Sequence, residues 1–288
     1  MRETYSLGLI GYPLSHSLSP KLHNAALKSL GLDGEYCLYA IPPSEENELK
    51  ELLETVRSGE IHGLNVTIPH KQTVIPYVDE LTPTAQAVGA VNTIYFRDGK
   101  LIGDNTDAPG FSADLKQFLV NIPYSEFRKN ALVLGAGGST RAVVYALLQD
   151  GWQITLAARR PEQAKSLADN LSQNSISNIQ YPISIIQFPI SNLESPFSLI
   201  VNTTPLGMTP NVNNSPWPTD FPFPENAAVY DLVYNPRETL LVRNARAAGL
   251  PATTGVGMLI EQAALAFEIW TGREAPRDVM RDAVYLCT

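Results

Sequence analysis

The run from Leu132 to Ala142 reads LVLGAGGSTRA. Apolar residues enter it, Gly135, Ala136, Gly137, Gly138 and Ser139 form a small-residue turn, and a helical pattern leaves it. Missing side chains let a pyrophosphate approach the backbone, and the free N–H groups of a helix N-terminus suit its charge. The spacing is Gly-x-Gly without the full glycine fingerprint. Thr140 stands in place of the third glycine, with Ala142 nearby as a small packing residue. The bland alternative is a tight strand-to-helix turn that binds nothing. About 20 residues on, an NAD site usually carries Asp or Glu for the ribose 2′-hydroxyl. Here the next apolar run ends in Ala158, Arg159 and Arg160, with no carboxylate. Two guanidiniums suit a 2′-phosphate, by bidentate contact and by stacking on adenine. NADP is therefore expected over NAD. The competing reading is a solvated arginine pair, although basic residues are a poor choice beside a helix N-terminus.

The first half carries a second set of chemistry-bearing residues. The segment GYPLSHSLSP, from Gly11 to Pro20, puts several hydroxyls between a strand and a helix. Ser17 and Ser19 could hold a carboxylate there; the alternative is capping alone. Asn65-Val66-Thr67-Ile68-Pro69-His70-Lys71 runs from a strand into a proline turn. Lys71 is either a proton donor or an ordinary exposed lysine. Asn92, between Val91 and Thr93, puts an amide in an apolar strand, where it needs partners if buried. The segment from Gly103 to Asp107 ends at a helix start. Asp107 is an N-cap, a functional carboxylate, or both.

The elements that must position these groups follow from periodicity. Strands are expected at Tyr5–Ile10, Tyr36–Ala40 and Gly63–Thr67. A helix is expected through Leu30, with Ser19 as its N-cap, Pro20 at its first position, and Leu22, Ala25, Ala26 and Leu30 on one face. Val91–Phe96 and Leu101–Ile102 read as a hairpin around Asp98-Gly99. A second unit begins near residue 108. Its expected strands are Ala131–Leu134, Gln153–Ala157, Ile183–Ile186, Leu199–Val201 and Ala228–Val233. Its helices are near Ser139–Gln149, Pro161–Leu171 and Glu238–Ala248. The prolines from Pro205 to Pro224 forbid a central strand or a helix interior, so that stretch is a long connection. Helices near Met258–Trp270 and Arg277–Tyr285 could pack on either unit. The alternation of strands and helices points to an α/β protein with mainly parallel sheets.

Composition narrows the function classes. The chain has 288 residues, about two domains' worth. It is 44% hydrophobic and 17% charged, with net charge -8. A chain this acidic argues against a general nucleic-acid or anionic-membrane surface. No apolar run approaches a membrane span, and the N-terminus lacks the pattern of a signal peptide. Cys37 and Cys287 lie near opposite ends and form no disulfide framework. The four histidines lack metal-ligand spacing, so no metal is expected. A cytoplasmic location is expected. A homodimer is compatible with the sequence, which does not fix the oligomeric state.

Taken together, these segments resemble shikimate dehydrogenase. The matching pieces are Gly11–Asn24, Gly63–Lys71, Gly89–Thr93, Gly103–Gly110, Gly135–Ala142, Asn202–Met208, Asp231–Pro236 and Gly255–Ala264, in order along nearly the whole chain. The resemblance implies an N-terminal α/β substrate domain and a Rossmann-like NADP-binding domain, with the active site in the cleft between them. It implies a discontinuous substrate domain, residues 1–107 plus 257–288, around a cofactor domain, residues 108–256. It implies reversible NADPH-dependent reduction of 3-dehydroshikimate to shikimate, in the shikimate pathway of aromatic amino-acid biosynthesis. Ser17 and Ser19 match hydroxyls for the substrate carboxylate. Thr67, Asn92 and Gln262 match substrate hydrogen-bonding positions, with Asn65 beside them. Tyr234 matches a tyrosine that reaches the substrate from the cofactor domain. Lys71 matches the catalytic lysine and Asp107 its carboxylate partner. Gly135, Ala136, Gly137, Gly138 and Ser139 match the pyrophosphate turn, and Leu232 and Gly255 match positions that approach the nicotinamide. The family's usual Asn-Arg-Thr reads Ala158, Arg159 and Arg160 here, so Arg160 or Lys165 would have to compensate. Pro83 stands where many members carry a polar residue near the cofactor.

Overall fold

The computed structural model describes residues 4–120, 122, 128–174, 183–188, 190 and 197–285. Cys287 lies outside them. The chain forms two compact units. One takes the residues up to Gly110 and those from Leu259 onward; the other runs from Phe111 to Met258.

In chain order the first stretch contains β1 (Thr4–Gly11), α1 (Ser19–Ser29), β2 (Asp33–Ala40), α2 (Glu46–Ser58), β3 (Gly63–Val66), β4 (Glu80–Leu81), α3 (Pro83–Val88), β5 (Thr93–Arg97), β6 (Lys100–Asp104) and α4 (Asp107–Val120). The sheet order is β2-β1-β3-β5-β6-β4. Strands β2, β1 and β3 are parallel, while β3, β5 and β6 run antiparallel. The expected hairpin is present. Asp98 has φ 52° and Gly99 φ 76°, the left-handed pair a two-residue hairpin turn requires.

Helix α2 has no counterpart among the expected elements. Its Leu49, Leu53 and Val56 are buried against Ile10, Leu64, Val66, Ile94 and Leu101 of the sheet. The start of α1 differs from expectation by one residue. Leu18 occupies the N-cap position and makes no side-chain cap bond, and Ser19 is the first helical residue. The Ser19 side chain is turned inward, 8% exposed and close to the Tyr36 phenol, so it does not serve as a cap. The buried stripe of α1 is Leu22, His23, Ala26 and Leu27. Leu30, expected on that stripe, is 40% exposed beyond the last turn.

The second stretch contains β7 (Asn130–Leu134), α5 (Gly138–Gln149), β8 (Gln153–Ala158), α6 (Pro161–Asn174), β9 (Ile183–Gln187), β10 (Leu199–Asn202), β11 (Ala228–Asp231), α7 (Leu240–Ala247) and β12 (Ala252–Thr254). The sheet is all parallel, in the order β12-β11-β10-β7-β8-β9. Counted from β7 this is the doubly wound order 3-2-1-4-5-6, whose strand order reverses between β7 and β10. All four residues of β10 and of β11 are buried, as expected of strands covered on both faces. The proline-rich stretch between them contains neither helix nor strand. Its Trp217 packs flat on Phe223, with ring centroids 4.8 Å apart.

Helices α8 (Val256–Thr271) and α9 (Arg277–Tyr285) complete the chain. Most of α8 and all of α9 belong to the first unit, where α9 packs on α1. Trp270 of α8 lies over Gly63 of β3 and donates from Nε1 to the Ile94 carbonyl at 3.2 Å. A methyl group on Gly63 would sit inside the indole ring. Gly63→Ala is therefore expected to destabilise the fold by about 3 kcal/mol, read as a lower urea midpoint. An unchanged midpoint would contradict this packing. Among the described residues, no helix is long and apolar enough to cross a membrane.

Candidate functional site

The first unit builds a buried polar cluster where β3, β5 and β6 end. The register sets Asn65 opposite Thr93, and Thr93 opposite Asp104. Asn92 precedes β5 and is locked by its backbone: its carbonyl accepts from Val66 at 2.8 Å and its N–H donates to Asp104 at 2.9 Å. Lys71 is fixed in the same way, through its carbonyl accepting from Val91 N at 2.7 Å. Each side chain therefore starts from a backbone held by the sheet.

Lys71 Nζ lies 2.6 Å from Asp107 Oδ2, and the two side chains are only 11% and 8% exposed. The other carboxylate oxygen, Oδ1, accepts from Asn92 Nδ2 at 3.0 Å. Asp107 thus has one oxygen on the ammonium and one on an amide, which fixes its plane. Its side chain does not cap α4. That role falls to Asn105, whose Oδ1 accepts from Ala108 N at 3.1 Å.

Asn92 is the hub. Its Nδ2 also reaches Thr106 Oγ1 at 2.9 Å and Gln262 Oε1 at 3.4 Å, and its Oδ1 accepts from Thr106 N at 2.7 Å and Thr93 Oγ1 at 3.0 Å. Helix α8 delivers Gln262, whose Nε2 donates to the Leu259 carbonyl at 2.8 Å. Lys71, Asp107, Asn92 and Gln262, expected to act together, are thus joined by direct hydrogen bonds. A buried ion pair of this kind is weak evidence for stability, because desolvation offsets much of its attraction. It fits a site that holds a proton in a fixed place.

The remaining expected residues of this unit stand around the cluster. Asn65 is 4% exposed and faces inward: its Oδ1 accepts from Tyr36 OH at 2.8 Å, and its Nδ2 donates to the Asn92 carbonyl at 3.2 Å and to Thr93 Oγ1 at 3.4 Å. Thr67 is half-buried, with its methyl over Gly11 and its N–H on the Ile10 carbonyl. Ser17 Oγ accepts from Ser19 N at 3.3 Å. Thr93, Thr106 and Tyr36 had no assigned role. For the first two the signal was a hydroxyl beside an amide or carboxylate in a buried strand or turn. For Tyr36 no signal separates it from a core aromatic.

In the second unit, Gly135 has φ 120°, and its N–H donates to Ala157 O at 2.9 Å, so the two turns that follow β7 and β8 are adjacent. Gly137 is exposed, with nothing within 4 Å of where a Cβ would stand. The turn and the first N–H groups of α5 are open to an anionic group. Thr140 fills the third-glycine place for a reason: its Oγ1 accepts from Gly137 N at 2.8 Å and bonds Thr203 Oγ1 at 2.7 Å. It ties the turn to the loop after β10. Ala136 and Ser139 are half-buried, and Arg159 and Arg160 are both exposed after β8. Leu232 and Gly255 are in contact, since a side chain on Gly255 would collide with the Leu232 backbone. Tyr234 is half-buried, and burial pushes its phenol up. Beneath this segment, buried Asp231 accepts from Asn202 Nδ2 at 2.8 Å, Val233 N at 3.0 Å and Thr239 Oγ1 at 2.6 Å. Burial raises its carboxyl to about 6 against the pull of those three donors.

Residues 9–94 match the family described as the shikimate dehydrogenase substrate binding domain, and residues 255–285 match the shikimate 5′-dehydrogenase C-terminal domain. The chain is 42% identical over 283 residues to a shikimate dehydrogenase (NADP(+)) from Methanopyrus kandleri, covering 98% of this chain and 95% of that one. A crystal structure of a shikimate dehydrogenase in complex with NADP+ superposes with a TM-score of 0.87 at 37% identity, covering 98% of this chain and 95% of that one. The enzyme from Thermus thermophilus, in complex with NADP(H) and shikimate, gives a TM-score of 0.83 at 37% identity, covering 99% of this chain and 100% of that one. Similarity of this extent, running through the polar cluster and the glycine turn alike, means that the chain belongs to the shikimate dehydrogenase family.

Proposed function

We propose that the protein catalyses the reversible reaction 3-dehydroshikimate + NADPH + H⁺ ⇌ shikimate + NADP⁺. The observation that carries this reading is the buried Lys71–Asp107 pair, braced by Asn92 and joined to Gln262. The segment around it matches a substrate-binding family, and full-length relatives carry this activity in their names. We assign substrate binding to the first unit and cofactor binding to the second.

The residues of the second unit fit NADP. A turn of small residues with Gly137 exposed lies at the N-terminus of α5, and two arginines follow the neighbouring strand without an acidic residue. When bound, the cofactor supplies the hydride. Every other task falls to the chain. Lys71 Nζ, as ammonium, stabilises and protonates the developing alkoxide in reduction, and as amine it takes the proton in oxidation. Asp107 and Asn92 hold Lys71 and a substrate hydroxyl in line. Ser17 and Ser19 receive the carboxylate; Thr67 and Gln262 hydrogen-bond the ring hydroxyls. Asn65 supports this set from behind rather than through free donors of its own.

The test is the absorbance of reduced nicotinamide with shikimate and NADP⁺, run in parallel with NAD⁺ and with quinate. Turnover with shikimate and NADP⁺ is expected to dominate. Dominant activity with quinate or NAD⁺ would replace this reading with a broader polyol-acid dehydrogenase. Arg159→Ala is expected to raise KM for NADPH by about ten-fold or more, the loss of a charge-assisted contact, and to leave KM for NADH nearly unchanged. Arg160→Ala measures how much the second guanidinium contributes. Equal effects on both cofactors would mean that neither arginine meets the 2′-phosphate.

A further inference from the structure

Behind the Lys71–Asp107 pair lies a buried aromatic layer that the reaction as written does not use. Tyr36, 3% exposed on β2, stacks on His23 of α1 with ring centroids 4.3 Å apart and an interplanar angle of 1°. Its hydroxyl donates to Asn65 Oδ1 at 2.8 Å. The Ser19 hydroxyl, one turn before His23 on the same face of α1, lies close to the phenol. Burial holds the Tyr36 phenol well above its usual range, so it stays a protonated donor at every working pH. From Asn65 the bonds continue without a gap. Asn65 Nδ2 donates to Thr93 Oγ1 at 3.4 Å, Thr93 Oγ1 donates to Asn92 Oδ1 at 3.0 Å, and Asn92 Nδ2 donates to Asp107 Oδ1 at 3.0 Å. Asp107 then meets Lys71.

We infer that Tyr36 is a positioning residue, which steadies the proton-handling end of the site at Lys71 and Asp107 through Asn65, Thr93 and Asn92. The inference rests on the proposed dehydrogenase reading and deepens it. Each amide in the line has its donor and acceptor ends assigned by its neighbours. Reversing one would set donor against donor or acceptor against acceptor. The phenol supplies the first fixed direction, since it donates to Asn65 Oδ1 and leaves Asn65 Nδ2 to point onward. Without it, the Asn65 amide keeps its bonds to the Asn92 carbonyl and to Thr93 but is left with a buried Oδ1 that has lost its donor, so its placement beside the Asn92 hub is less closely defined. Tyr36 touches no reacting atom in this scheme, so its effect is on alignment.

Tyr36→Phe keeps the ring and its stack on His23 and removes only the hydroxyl. Thr93→Val cuts the line two steps later at nearly constant volume. The experiment is steady-state oxidation of shikimate by the full chain, its two single variants and the double variant, each with a melting temperature. Tyr36→Phe is expected to lower kcat by about ten-fold and to raise KM for shikimate several-fold, with KM for NADP⁺ unchanged. The double variant is expected to lose no more kcat than the worse single one, because both cut one line. A Tyr36→Phe enzyme within two-fold of the parent in kcat and in KM for shikimate would overturn the inference. So would losses that multiply in the double variant, or losses shared by KM for NADP⁺, which mark a general structural defect. Should Tyr36→Phe not fold, Thr93→Val decides alone, with the same fall in kcat and unchanged KM for NADP⁺ expected and parental kcat overturning it. A parent that is folded but inert toward shikimate would remove the functional reading and this inference with it. An active parent with an unaffected Tyr36→Phe removes the inference alone.

Discussion

Lys71→Met is expected to lower kcat for shikimate oxidation by about a thousand-fold, while KM for shikimate stays within a few-fold of the parent. The reasoning starts from geometry. The Lys71 ammonium is 2.6 Å from Asp107 Oδ2 and its side chain is 11% exposed, so bulk water is a poor substitute as proton donor. The substrate contacts proposed for Ser17, Ser19, Thr67 and Gln262 do not involve Lys71, so binding is expected to survive the change. Methionine keeps the stem of the lysine and removes its charge and proton. Asp107→Asn should cost less, about a hundred-fold, because the amine is retained while its fixed acceptor and charge partner are lost. Stopped-flow single turnovers locate the loss in the chemical step. A pair of variants that raise KM and leave kcat intact would assign Lys71 and Asp107 to binding alone.

The second large effect concerns stability against pH. His23 is fully buried, and neither ring nitrogen reaches a hydrogen-bond partner. Burial pushes its imidazole down to about 3 from a usual 6.5, with nearby Asn65 pulling weakly the other way. The folded state therefore binds this proton less readily than the unfolded chain. The stability His23 contributes is complete above about 6.5 and is lost as pH falls toward 3, at about 1.4 kcal/mol per pH unit. Asp231 has the opposite sign. Its folded carboxyl is raised from 3.8 to about 6, so its contribution is complete below 3.8 and is lost as pH rises to 6. Between those values the two slopes oppose each other. His23→Phe, which keeps a ring on Tyr36, should expose the Asp231 slope. The variant gains on the parent with each unit of acidification below 6.5, by several kcal/mol in all. Asp231→Asn should steepen the acid loss instead. Urea unfolding at several pH values measures both, and parallel curves for parent and variant would contradict the buried neutral imidazole.

What the sequence discloses of this fold follows from how locally each feature is encoded. The turn from Gly135 to Ser139 and the Asp98-Gly99 hairpin were legible because a backbone demand there falls on residues adjacent in the chain. Strands β7, β10 and β11 of the second unit were legible because burial on both faces makes each a continuous apolar run. Helix α2 was legible in principle, since Leu49, Leu53 and Val56 repeat at helical spacing and Gly59 follows in the left-handed conformation. Strands β4 and β12, of two and three residues, are too short to show any alternation. In the site, the resemblance identified Lys71, Asp107, Asn92 and Gln262, and residue types alone did not choose between cap and carboxylate at Asp107. Ser19 as a helix cap was a misjudgement, and the bonds that Thr140 makes in the third-glycine place were not foreseen; both are side chains whose surroundings, near Tyr36 and at Thr203, come from elsewhere in the chain.

The bond from Asn92 to Gln262 spans 170 positions, and the indole that covers Gly63 comes from Trp270. A ribosome releases the first unit's sheet early, and the parts of α8 and α9 that complete this unit only after Phe111–Met258 has been made. The second unit is continuous in sequence and can fold while synthesis proceeds; the first must wait with an open core and an unfinished hub. Translation that stops short of α8 therefore yields a chain with a cofactor turn and a lysine–aspartate pair but no Gln262 to complete the hub. Gln262 therefore reaches Asn92 only once the whole of the second unit has been made.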